Sequence, residues 1–150
     1  IADMQRRADL GRAAAARYLD ALSVVGDPMP SHRLLDAVSH RVTRRGRPYR
    51  PLRPISPDEA PLFRVILYGE FALRGFGNAD LRQRLYPNDV ASVPQHAAAA
   101  RITRTLRLLR AHGLIKKVTG TRYYRITAKG HQVMTTALRF RETDLALLAA

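Results

Sequence analysis

The stretch Ala100-Arg-Ile-Thr-Arg-Thr-Leu-Arg-Leu-Leu-Arg-Ala-His-Gly-Leu-Ile115 decides how this chain folds. Ile102, Leu106 and Leu109, with Ala98 ahead of them, recur at helical spacing, so one face of the segment is made for burial. A helix is predicted from about Pro94 to His112, with Gly113 as the residue that ends it. Ala97, Ala100, Arg101, Arg104 and Arg107 fall on the outer side. Past Gly113 the pattern turns from helix to strand. Leu114 to Val118 and Arg122 to Thr127 read as two strands around a Thr119-Gly120-Thr121 turn. A last helix is predicted from about Ala128 to Leu148. Its apolar residues Val133, Met134, Ala137, Leu138, Leu145 and Leu148 exceed the needs of one small core, which points to a homodimer or to docking on a larger parent protein.

Working upstream, Ser56-Pro57-Asp58-Glu59 reads as a helix start. Ser56 is placed to cap, Pro57 to take the first helical position, and Glu59 to close a reciprocal box. Leu62, Phe63, Ile66, Leu67, Phe71 and Leu73 supply its apolar stripe, and Gly75-Phe76-Gly77 breaks it. Asn78 is the expected cap of a short helix, Ala79 to Leu85, with Leu81 and Leu85 facing inward. The connection from Asn88 to Gln95 is long for a tight turn between helices.

The first part of the chain divides into two predicted pieces. Residues 1–40 read as a helical hairpin, with one helix from Asp3 to about Val25 and a second from His32 to Ser39 capped by Ser31. Residues 41–56 read as an extended basic linker, because the run from Arg41 to Pro54 holds three Pro and one Gly. Residues 57–150 would then be the main domain. The predicted fold class is mainly α with a small two- or three-stranded β wing.

Charge points to a polyanionic partner. The formal net charge is +14, from 26 Lys and Arg against 12 Asp and Glu. Arg outnumbers Lys 23 to 3, a skew that codon usage explains, but codon usage does not explain the deficit of acids. No Asp or Glu occurs from Val90 to Arg141, where eleven basic residues fall, nor from Ala37 to Pro57, where six Arg fall. A solvated face ordinarily mixes both signs. A face of one sign attracts polyanions, and phosphate backbones are the commonest of these.

The quoted helix and its Gly113-Leu-Ile115 exit resemble the recognition helix and wing entry of winged helix-turn-helix regulators such as the MarR-like group. Tyr123-Tyr-Arg-Ile-Thr127 and Ala128-Lys-Gly130 resemble the wing exit of the same proteins. The likeness covers about residues 57–140 and is sharpest from 100 to 130. It implies a nucleic-acid-binding module, with double-stranded DNA as the expected partner and RNA as the second candidate. Arg101, Arg104 and Arg107 would face the major groove, where an arginine reaches guanine with two hydrogen bonds. Gln95, His96 and Thr103 lie on the same helix, Gln95 and His96 near its start, where base contact is made in such motifs. Arg110 suits phosphate, and Lys116, Lys117, Arg122 and Arg125 would set the wing on phosphate or in a minor groove. In the basic run, Arg44, Arg45, Arg47 and Arg50 read either as an arm that tracks phosphates or a minor groove, with Tyr49 available to stack on a base, or as a solvated linker.

Other functions lack their signatures. His32, His40, His96, His112 and His131 form no metal-ligand spacing, and His112 is expected to serve the negative end of its helix. No acid pair suggests general acid–base work, and no Ser has an evident base, so neither catalysis nor a cofactor is expected. Cysteine is absent, and no apolar run or leader suggests a membrane or secretion, so a cytoplasmic location is expected. Two rival readings stand beside DNA binding. One is an accessory C-terminal part of a larger mobile-element or nucleic-acid-processing enzyme, which the Ile1 start and the basic run suggest. The other is a winged helix that docks a protein.

Overall fold

The computed structural model describes residues 29–87 and 94–143. The predicted helix from Asp3 to Val25, the connection at 88–93 and Leu145 and Leu148 lie outside the described residues. Within them the chain is mainly helical, with two small antiparallel sheets of two strands each. The order is α1 (Ser31–Asp36), β1 (Val42–Arg44), β2 (Arg47–Tyr49), α2 (Ala60–Ile66), α3 (Gly69–Arg74), α4 (Asn78–Leu85), α5 (Gln95–Ala111), β3 (Ile115–Lys117), β4 (Tyr124–Ile126) and α6 (Ala128–Glu142).

The deciding segment folds as read. Helix α5 buries Ala98, Ile102, Leu106 and Leu109, and Gly113 turns out of it with φ 75°. Lys129 Nζ donates to the His112 carbonyl at 3.0 Å, so a lysine takes the role at the helix end expected of His112. Strands β3 and β4 pair Ile115 with Ile126 and Lys117 with Tyr124. Phe76 adds a bridge to this pair: its N–H donates to the Tyr124 carbonyl at 3.0 Å, and Tyr124 N–H donates back at 2.7 Å. Thr127 joins the hairpin to the last helix. Its hydroxyl donates to the Gly113 carbonyl and accepts from Gly130 N–H, capping α6. At Gly130 an added Cβ would stand 1.9 Å from the Leu114 carbonyl oxygen, so only glycine lets α6 cross the α5 exit this closely.

Several local expectations are corrected. The stripe from Leu62 to Leu73 is two helices rather than one, because the chain turns at Leu67 and Tyr68. Glu59 closes no capping box with Ser56: its carboxylate binds Arg50, and Ser56 Oγ is buried without a partner. One half of such a box forms instead at α4, where Asp80 accepts from Gly77 N–H at 2.8 Å and Gly77 has no side chain to return the bond. Gly77 is the residue before that helix, and Asn78 is inside it. Ser31 likewise opens α1 rather than capping it, with Pro30 ahead.

The largest correction concerns residues 41–56. They are not an extended linker. Val42–Arg44 and Arg47–Tyr49 pair across a two-residue turn, Arg45-Gly46, whose φ angles of 51° and 74° are both left-handed. That is the turn whose twist matches a hairpin. Pro48 is tolerated because each strand of a two-stranded sheet is an edge, where a missing N–H breaks no ladder beyond.

One buried cluster ties the described elements together. Leu35, Val38 and Leu52 from the first part join Phe63, Ile66, Phe76, Leu81, Leu114, Ile115, Val133 and Met134. Helix α4 packs on α5, α2 on α4 and α6, and α1 on α6. Val133, Met134 and Ala137 are used within this core, and Leu138 packs partly buried against it.

Candidate nucleic-acid interface

A helix turns about 100° per residue. On α5 this puts Ala99 and Thr103 on one flank of the buried stripe and Arg101, Thr105 and Leu108 on the other. The two flanks are closed by different neighbours. Asn78 Nδ2, at the start of α4, donates to the Ala99 carbonyl at 2.9 Å and to Thr103 Oγ1 at 3.1 Å. Thr103 is therefore a helix–helix contact and is not placed to read a base. The opposite flank meets the β1–β2 hairpin. Leu108, which the helical pattern left outside the core, is buried there.

Between the flanks α5 presents an open ridge with His96, Ala100, Arg104 and Arg107, all exposed, while Gln95, exposed at the helix start, lies on the side of the buried stripe. The small side chain of Ala100 leaves the two arginines as the prominent groups on this ridge.

The hairpin is fixed to α5 from below by residues that follow it. Arg50 holds the centre. Its carbonyl lies 2.8 Å from His112 Nε2, and its guanidinium is 3.0 Å from Glu59 Oε1. Glu59 is nearly buried, and its other oxygen has no partner. The Leu52 amide donates to the Val38 carbonyl at 2.9 Å, and the Leu52 side chain enters the core. Burial pushes the His112 pKa down, more than the bond to Arg50 raises it, and the Lys129 charge lowers it further. The neutral imidazole then donates from Nε2, which leaves Nδ1 as a buried lone pair without a partner.

This arrangement gathers five arginines from two separate stretches. Arg47 and Arg50 of the hairpin segment and Arg101, Arg104 and Arg107 of α5 line one cleft of about 550 Å³, with Tyr49 and Tyr86 among its walls. Among the described residues no Asp or Glu lines it. Arg50 is paired with Glu59, whereas Arg47, Arg101, Arg104 and Arg107 form no ion pair among the described residues. Charges of one sign gathered on a concave surface focus a positive potential there.

The remaining sequence-derived residues lie elsewhere. Lys116, Lys117 and Arg122 are exposed on β3 and its turn, and Arg125 is half-buried on β4. Arg44 and Arg45 stand at the tip of β1–β2, and Arg110 is half-buried in the last turn of α5. Sequence reasoning missed Tyr86 and Leu108, and it missed the packing of the hairpin on α5. An aromatic at the end of α4, just before Pro87, was the available signal for Tyr86. Among the described residues no helix is long and apolar enough to cross a membrane, and no group of His, Cys, Asp and Glu is arranged to hold a metal ion. Comparison of the chain with protein-family models, curated proteins and solved structures found no match, so the reading of this interface rests on its own geometry and charge.

Proposed function

We propose that this chain is a nucleic-acid-binding module of the winged helix-turn-helix type that acts on double-stranded DNA. Helices α4 and α5 form the helix-turn-helix unit, α5 enters the major groove, and β3–β4 is the wing. The Phe76 bridge to Tyr124 is the third strand position of that wing. The chain carries out no chemistry of its own in this reading.

The observation that carries it is the outer surface of α5. Arg104 and Arg107 stand exposed beside Ala100, unpaired by any described acid, on a helix whose other faces are packed. An exposed surface with no requirement for charge would gain from mixed signs. A helix with exposed arginines beside a small residue fits a groove whose floor offers acceptors and whose rims are phosphate. Lys116, Lys117 and Arg122 extend the same sign along the wing.

Duplex binding measured against salt concentration tests this. The expected result is an affinity that falls steeply with salt, at about 0.9 in logarithmic slope per phosphate neutralised. Arg104→Ala/Arg107→Ala should remove preference among sequences more than it removes affinity for any duplex. A parent chain whose duplex binding is insensitive to salt would sink the proposal.

A further inference from the structure

The hairpin β1–β2 lies beside α5, the proposed reading helix, and faces it with charge, which a winged helix does not require. We infer that the cleft between this hairpin and α5 is a channel for one phosphodiester strand, the strand that borders the groove α5 enters. This rests on the nucleic-acid reading above and adds to it a second clamp and a division of labour among the arginines.

The geometry separates two kinds of arginine on one helix. Arg101 lies on the flank turned toward the hairpin, whereas Arg104 and Arg107 lie on the open ridge at the cleft rim. Arg101 is thereby reassigned from base reading to the cleft wall, opposite Arg47. Walls that carry guanidinium groups and, among the described residues, no carboxylate match the repeating charge of a sugar-phosphate strand. Tyr49 and Tyr86 add polarisable, amphipathic surface between those charges.

The turn at the hairpin tip points the same way. Arg45 holds a left-handed φ of 51°, a conformation costly for a long side chain and cheap for Asn or Gly. It forms no ion pair among the described residues. Its exposed charge adds to the positive potential of the hairpin.

The channel makes a prediction that a loose basic arm does not. Arg47→Ala and Arg101→Ala should each weaken binding to every duplex sequence by the same factor. Each should lower the salt slope by about one. Arg47→Lys should restore that slope, because a phosphate accepts either cation. The double variant should lower the slope by about two, because each group neutralises its own phosphate along the strand.

The test is duplex binding by the intact chain, these four variants and Arg104→Ala/Arg107→Ala, at several salt concentrations and on several sequences. The unfolding midpoint of each variant is measured alongside. If Arg47→Ala keeps the parent's affinity and slope while Arg104→Ala/Arg107→Ala loses sequence preference, the channel is overturned and the nucleic-acid reading stands. If either single variant leaves the salt slope at the parent's value and changes only sequence preference, that group does not grip phosphate and the channel is likewise overturned. If the parent binds no duplex, both ideas fall together.

Discussion

The hairpins β1–β2 and β3–β4 each pair three residues antiparallel, yet they are secured by different physics. In β3–β4 the attachment runs through buried side chains. Ile115 is in the core, Phe76 bridges to Tyr124 by two backbone bonds, and the Phe76 and Tyr124 rings stack with centroids 6.3 Å apart. In β1–β2 no strand residue is fully buried. That hairpin is held by what comes after it: the Arg50 carbonyl on His112, the Arg50 guanidinium on Glu59, and Leu52 in the core. The β1–β2 anchor includes the imidazole of His112, which burial holds below its ordinary pKa, whereas the β3–β4 anchor rests on buried apolar side chains and backbone bonds.

Substitutions can break or sharpen that contrast. The largest effect is expected from Phe76→Ala, which removes a buried ring at the β3–β4 anchor and should cost about 3–5 kcal/mol in denaturant unfolding. Leu52→Ala should cost about 2–4 kcal/mol and should raise hydrogen exchange in β1–β2 more than in β3–β4. Equal exchange in the two hairpins would mean that Leu52 does not anchor β1–β2 selectively.

Acid provides the next test. The folded chain holds His112 below its unfolded pKa, so the unfolded chain binds more protons in the window between the two values. The stability this contributes is present above the unperturbed histidine pKa of about 6.5 and is lost as pH falls through the window below it. Burial lowers His131 in the same direction. His112→Gln should therefore flatten, without abolishing, the decline in stability on acidification. An unchanged pH slope would show that His112 does not titrate with unfolding. The smallest effect belongs to the tip: Arg45→Asn should stabilise by about 0.5–1 kcal/mol, because Asn enters the left-handed region at lower cost. If the tip grips phosphate, the same variant should bind duplex more weakly although it is more stable.

The sequence determined a good deal by itself. Helix α5 and its exit were legible because Ala98, Ile102, Leu106 and Leu109 repeat at the helical period and Gly113 stops them. Hairpin β3–β4 was legible because its strands flank a turn with Gly120, which has φ 74°. The excess of Arg over acids was legible as composition. Periodicity and punctuation are local, so a short window suffices to read them.

Tertiary structure decided the rest. Three prolines and a glycine made residues 41–56 resemble a linker, and Pro48 is harmless there because among the described residues the sheet has two strands, both of them edges. Ser56 and Glu59 have the spacing of a capping box, but Arg50 competes for the carboxylate and wins, since a buried acid is stabilised more by a cation than by an amide. Thr103 has the polarity of a base-reading residue, and Asn78 from another helix takes it. Arg47 and Arg101 stand 54 positions apart in the chain, and no local pattern says that they line one cleft. Such pairings depend on which surfaces meet when the core closes, and that is settled by packing among distant residues rather than by the order of neighbours along the chain.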